Sequence, residues 1–388
     1  MYTGKVKQSS IDLMILVLIN TVLSYFTTSI FTVVRYMGIL YLFARYCKDI
    51  FKSKVLYSLL AVYSVLLGIS SYQNNSSITW GLSGFMYGIQ IMTIFATMSG
   101  VIKRRKMDEI VTVMIWIILA LLIPTDILIV VYPYERISTT VYLIGNKFMV
   151  SYMHSLLVLL LSMKAMKRKK AYLTISFLIS LGITYKTGCT TGMIMLIFYF
   201  LFELIIGVFP KMKVFVSRSA LIAIALIAVN ILIWGSTAIL YTPWANHIIV
   251  DVLGKTNNMT GRFRLYAVVP QLIANASLIG YGYQPDVFRN LIGYGNAQNG
   301  LIQIVLESGF VGAVAYFGAL FIAGKNGDSN AKLYTLYLYL LSFVIGSIAE
   351  VNLSTYFVLG VAMLYAFGRS TIVSHTEKKR TKKMYISG

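Results

Sequence analysis

Two arginines, Arg262 and Arg264, fall in the first turn of a stretch that reads as a helix. Cations there oppose the helix macrodipole by roughly 0.3–1 kcal/mol each unless an anion sits among them. Free backbone amides, the dipole and a bidentate guanidinium could converge on one phosphate. Contact with lipid headgroups is the other reading, and the residues alone leave both open. The same stretch, 260–312, holds Arg289, a Gly280-Tyr281-Gly282 turn, Asn296 and Asn299 as candidate helix caps, and a Gly309-x-x-Gly312 pair. The Gly-Tyr-Gly turn is half a dinucleotide fingerprint, but no strand precedes it, so its glycines read as a chain reversal where side chains would clash. Gly309 and Gly312 read as a close approach of another helix.

The elements that must position these residues are set by hydrocarbon. Of 388 residues 58% are apolar and 12% charged, against about 25% charged in soluble domains. Apolar runs of about 20 residues recur, each long enough to cross a core of about 30 Å as a helix. The fold class is therefore all-α, a polytopic membrane protein. The first run, 11–26, has no small-residue cleavage site and reads as a retained span. Cys47 and Cys189 lie in different runs and suggest neither a disulfide framework nor a metal site. No metal or cofactor is expected.

About twelve spans are expected, near 10–26, 29–45, 55–71, 81–101, 110–131, 148–164, 171–185, 189–208, 219–240, 300–323, 333–349 and 352–368. Alternate connections collect 26 of the 34 lysines and arginines. The positive-inside rule makes that side cytoplasmic, with both termini inside. The net charge of +21 thus follows loops and implies no nucleic acid. The expected organisation is nine spans over 1–240, an extracytoplasmic loop over 241–299, three spans over 300–368, and a basic cytoplasmic tail over 369–388 that tethers to anionic lipid. The loop is long enough to be functional. Within it an amphipathic helix is expected, capped near Asn258 to Thr260, bent at Pro270, ended by Ser277 and Gly280, and lying on the outer membrane face.

Ionisable groups inside spans cost at least about 2.5–3.5 kcal/mol and must face protein or water. Arg35 falls in the outer half of span two. It could meet a lipid diphosphate or pair with Asp126, and both readings stand. Glu203 and His154 read as structural.

Thr260-Gly261-Arg262 with Tyr266, Gly280-x-Gly282, and Gln298-Asn299 followed by Gly309-x-x-Gly312 resemble the signature of the O-antigen ligase and Wzy-type polysaccharide polymerase superfamily. The twelve-span topology with one large outer loop is similar too. The resemblance implies a membrane glycosyltransferase that polymerises undecaprenyl-diphosphate-linked oligosaccharides on the outer face of the bacterial cytoplasmic membrane. It needs neither metal nor nucleotide sugar. An O-antigen-type ligase and a lipid-linked oligosaccharide flippase are the alternatives; the chain shows no repeated halves, which a transporter would favour. Implied partners are the lipid-linked donor and acceptor, membrane lipids and other polysaccharide-assembly proteins.

The resemblance gives Arg262 the leaving pyrophosphate, with Arg264, Arg35 and Lys186 as further diphosphate contacts. It puts the acceptor-activating base at Gln298, where the family has His. An amide cannot take up a proton near neutral pH. Gln298 could orient the acceptor hydroxyl while Glu307, His247, Asp286, Glu350 or the departing phosphate takes its proton. The second departure is at span eight, where Lys186 stands in place of a Ser-Arg pair and lacks the planar fork.

Overall fold

In hydrocarbon a chain satisfies its backbone polar groups by forming helices, and in the computed structural model eleven of the expected apolar stretches fall mostly on one helix each, while 10–26 is divided between two. The structure describes residues 2–26, 28–50, 53–132, 140–164, 169–235, 242–252, 262–276, 278–293 and 295–386. In chain order the helices are α1 Tyr2–Asn20, α2 Val22–Tyr25, α3 Ser29–Ile50, α4 Lys54–Asn75, α5 Ile78–Ile102, α6 Met107–Val131, α7 Lys147–Met163, α8 Lys169–Lys186, α9 Thr190–Val208, α10 Met212–Val216 and α11 Ser219–Gly235. Then follow α12 Pro243–His247, α13 Arg262–Asn275, α14 Val287–Ile292, α15 Gly300–Gly324, α16 Tyr334–Gly346 and α17 Thr355–Ile386. Seven stretches among the described residues are long and apolar enough to cross a membrane, among them Met107–Val131 and Gly300–Gly327. The chain is an all-α polytopic membrane protein.

Among the described residues the strands are confined to a short hairpin in the connection between α6 and α7. Strands β1 Val141–Tyr142 and β2 Gly145–Asn146 pair antiparallel. Asn146 ends β2 and caps α7, its side chain accepting from the amides of Phe148 and Met149 at 3.1 Å each.

Helices α4 and α5 pack with their backbones nearly touching. A methyl group on Gly88 would come 2.5 Å from Ser64 Cα, and one on Gly84 2.8 Å from the Leu67 carbonyl. Small residues allow this closeness, which is how helices gain packing energy where lipid offers no hydrophobic gain. The contact fixes two tyrosines, Tyr63 on α4 and Tyr87 on α5, at the inner wall of the bundle.

Buried polar groups find partners across helices. His154 lies between Asp126, 3.1 Å away, and Ser180, 3.0 Å away, so Asp126 is taken and does not pair with Arg35. Glu203 accepts from the Tyr334 hydroxyl at 2.8 Å. On the basic connections, Arg45 meets Asp12 at 2.8 Å, Lys164 meets Asp108 at 2.6 Å, and Lys103 pairs with Asp49.

Candidate functional site

Helix α15 carries the site, and a break in it makes the site possible. Gly309 has φ +66° and ψ −177° inside α15, a conformation open to glycine and strained for other residues. The break frees the carbonyls of Leu306 and Glu307, and the loop segment 278–282 takes them. Tyr281 N donates to Leu306 O at 2.7 Å and Gly282 N to Glu307 O at 2.9 Å, while Val311 N reaches back to Leu278 O at 3.3 Å. From the other side α4 grips the same segment: Ser70 Oγ donates to Gly280 O at 2.6 Å, and Tyr283 N donates to Ser71 Oγ at 2.8 Å. Added methyl groups would meet backbone 2.3 Å away at Gly280 and 2.1 Å away at Gly309. Gly309 therefore seats a loop in a helix break, not a second helix. At Gly312 an added methyl would meet Ser308 of the same helix first. The helix-approach reading of this pair is corrected on both counts.

The loop helix α13 opens at Arg262, where the sequence puts its first turn, and contains Pro270. Its buried side chains, Val269 and Leu272, pack on Ala297, Ile302 and Leu306. The apolar face covers the start of α15 rather than facing lipid along its length. The expected caps Asn258 to Thr260 lie outside the described residues, and the side chains of Arg262 and Arg264 are outside them as well.

Between this seated loop and helices α3, α4, α5, α7 and α15 lies a cavity of about 610 Å³. Its lining draws on four of the six connections that the charge pattern assigns to the outer side, through Trp80, Asn146, the loop from Tyr283 to Gln298, and Glu350 with Val351, and Ser24 and Tyr25 add the end of the first span. None of the lining residues comes from a connection that carries the lysine and arginine clusters.

Arg35, Gln298 and Glu307 line this one cavity, as do Asp286 and Glu350. His247 does not; it contacts Asp251 at 2.6 Å on an exposed turn. Lys186 does not either. Its ammonium donates to the Val130 carbonyl at 2.8 Å, because the tight turn after α8 points it toward the end of α6, and it joins no lining residue of the cavity.

Arg35 is held by neutral groups. Its Nε and Nη2 donate to Gln90 Oε1 at 3.1 and 2.7 Å, and the Tyr283 phenol lies within its electrostatic reach. Gln90 is fully buried and fixed from behind, its Nε2 donating to Ile19 O at 3.1 Å and Asn20 Oδ1 at 2.8 Å. Burial pushes the Tyr283 phenol above its ordinary value against the pull of Arg35, so it stays a neutral hydroxyl. A guanidinium whose described hydrogen-bond partner is an amide keeps its full charge for whatever enters the cavity.

Glu307 is 7% exposed. Its Oε1 accepts from Gln303 Nε2 at 2.9 Å and from Gln284 N at 3.3 Å. Its Oε2 has no partner among the described residues and opens on the cavity. Gln303 in turn accepts from Ala297 N at 2.8 Å, and the adjoining Gln298 sits at φ +50° in a turn closed by Gln298 N to Asn296 Oδ1 at 2.9 Å. Asn299, one residue later, is the cap of α15, accepting from Ile302 N at 3.0 Å. Arg289, also in the lining, pairs with Asp286 at 3.2 Å.

The arrangement thus sets a carboxylate oxygen, an uncompensated guanidinium, amides and aromatic faces around one enclosed space. Such a set can bind an anion at one end and move a proton at another. Sequence reasoning passed over Gln90 and Gln303. Both left a signal: Gln90 is a polar residue amid an apolar span, and Gln303 stands four residues before Glu307, on the same helix face.

Fold and site together define a polytopic membrane protein that encloses a polar and aromatic chamber under one long loop. Residues 175–317, fewer than half of the chain, match the family model described as O-Antigen ligase. Comparison with curated proteins and with solved structures gives no match. The matched segment includes Arg262, Gln298, Glu307 and Gly309, whereas Arg35, Tyr63, Tyr87 and Gln90 lie outside it.

Proposed function

We propose that the protein is a glycosyltransferase that polymerises undecaprenyl-diphosphate-linked oligosaccharide repeat units on the outer face of the cytoplasmic membrane. The observation that carries this reading is that Glu307 Oε2 and Arg35 open on the same cavity. In the proposed reaction, Glu307 Oε2 accepts the proton of an acceptor hydroxyl, and that oxygen bonds to the anomeric carbon of the donor sugar. The bond from this carbon to the phosphate oxygen breaks, and its electron pair leaves with undecaprenyl diphosphate. Arg35 and Arg262 meet the charge of the leaving group. Gln298 holds the acceptor hydroxyl through its amide, since it cannot take up the proton.

The outer-face assignment and the count of twelve spans rest on the charge asymmetry of the connections. The use of four of the six outer connections in the cavity wall supports them. The test is the lipid-linked saccharide that accumulates in a deletion strain. Single repeat units support polymerisation; finished polymer on lipid would make the protein a ligase, and saccharide trapped at the cytoplasmic face a flippase.

A further inference from the structure

Two tyrosines in the cavity wall have hydroxyls without a hydrogen-bond partner among the described residues. Tyr63 is 1% and Tyr87 9% exposed, both line the cavity, and neither phenol is hydrogen-bonded among the described residues. Neither phenol oxygen is sealed inside the protein; both residues line the cavity, where a ligand or water takes the place of a protein partner. The rings themselves are fixed. Tyr63 packs against Tyr316 with centroids 5.0 Å apart, and Tyr87 stacks on Tyr283 at 4.8 Å and 27°. The phenols of these two partners are occupied, Tyr316 donating to Leu353 O at 2.6 Å and Tyr283 accepting from Gln284 Nε2 at 3.4 Å. All four rings lie within electrostatic reach of Glu307.

We propose that Tyr63, Tyr87 and Glu307 Oε2 form the subsite for an uncharged sugar ring, the one at the accepting end of the acceptor saccharide. This rests on the reading of the protein as a glycosyltransferase and names the ligand chemistry of one part of its cavity. Three polar atoms from three helices, set among aromatic faces, match a flat ligand with hydroxyls on its edge and C–H bonds on its face. An acyl chain would leave all three polar atoms unmet. A phosphate or uronate would bring its charge against the Glu307 carboxylate, and no cation is bonded to any of the three groups among the described residues. The anion end of the cavity is instead at Arg35, which also lines it.

The experiment uses the full chain in lipid nanodiscs, as parent, Tyr63→Phe, Tyr87→Phe and the double variant. Phenylalanine keeps each ring and removes a hydroxyl without a hydrogen-bond partner among the described residues, so the thermal midpoint should not fall. With lipid-linked repeat unit purified from a deletion strain, each single change should raise the acceptor KM about three- to ten-fold, with kcat within about two-fold of the parent. Binding of undecaprenyl diphosphate should be unchanged. Saturation-transfer NMR gives a readout free of turnover, with methyl glycosides of neutral hexoses and N-acetylhexosamines as probes and methyl glucuronoside as control. The parent should show signal from at least one neutral glycoside, the double variant much less, and neither should bind the glucuronoside. Unchanged KM and unchanged NMR signal in the double variant would overturn the subsite, as would equal binding of the glucuronoside or a fall in midpoint. Glycoside binding lost in the double variant of a parent that fails to polymerise would sink the polymerase reading and leave the subsite standing.

Discussion

Gln303 Nε2 donates to Glu307 Oε1 at 2.9 Å, one helical turn along α15, and this bond decides which carboxylate oxygen faces the cavity. Gln303 has no freedom to turn its amide over, because its own oxygen accepts from Ala297 N at 2.8 Å. A backbone amide of the loop thus sets the Gln303 amide, and the amide sets the carboxylate. The loop that brings Gln298 to the cavity is the same one that aims Glu307.

Glu307→Gln keeps the size and the hydrogen bonds of the side chain but removes its capacity to accept a proton. Turnover should fall by roughly 10²–10⁴-fold, the contribution of a positioned base, with donor binding unchanged. Gln303→Met should lower kcat less than this and leave KM for the donor in place, because Glu307 remains but loses its aim. Steady-state polymerisation by nanodisc preparations checks both; a Glu307→Gln protein as fast as the parent would rule the carboxylate out as the base.

Arg35 is presented by Gln90, so the pair makes a graded prediction. Arg35→Gln removes the charge and should weaken undecaprenyl diphosphate binding by about ten- to a hundred-fold, the range of hydrogen bonds to charged groups. Gln90→Leu leaves the charge but removes its support, and should weaken the same binding by a smaller factor. Arg262→Lys keeps a charge without the fork and should also lose affinity, whereas Arg289→Lys, at a residue paired to Asp286, should lose little. The check is lipid-diphosphate binding at matched protein level. Equal affinity in the Arg35→Gln and parent proteins would refute this role.

The helices were legible because nothing but length and hydrocarbon is needed to read a span, and residues such as Arg35 and Asp126 stood out as ionisable groups where they are expensive. Other features were not legible, for identifiable reasons. A Gly-x-x-Gly spacing is the same whether a helix packs there or the helix breaks, and only the +66° φ of Gly309 separates the two. Tyr63 and Tyr87 recur at intervals that any packed helix shows, so their free hydroxyls left no trace in the sequence. The Asp126–His154 pairing depends on how α6 and α7 are rotated against each other, which apolar all-round helices do not encode in their pattern.

Gly309→Ala should unseat the loop. The methyl group would come 2.1 Å from Leu278 O, and the left-handed conformation adds a cost of order 1–3 kcal/mol by itself. Restoring a regular helix would relieve both, but would take back the carbonyls that Tyr281 and Gly282 now bond. The thermal midpoint in detergent should drop, and limited proteolysis should cut between 278 and 293 faster than in the parent. An alanine variant with the parent's midpoint and cleavage pattern would show that the break does not hold the loop.

Gln298 is the residue at which the superfamily resemblance and the chemistry of this chain disagree, and three variants separate the possibilities. If this position must supply a base, Gln298→His should raise the rate by some part of the roughly 10²–10⁴-fold that a positioned base contributes. Histidine tolerates the left-handed backbone found here, φ +50°, better than most residues, so strain does not confound the comparison. If the amide instead holds the acceptor hydroxyl while Glu307 takes its proton, His loses one of those hydrogen bonds and the rate should fall, Gln298→Ala should fall further, and Gln298→His combined with Glu307→Gln should recover part of the activity that Glu307→Gln alone loses. The second pattern is the expected one, because Glu307 Oε2 already opens on the cavity and needs no substitute. Polymerisation rates of the variants, measured side by side at matched protein level, make the comparison. A Gln298→Ala protein as active as the parent would show that this amide touches neither the acceptor nor the group that deprotonates it.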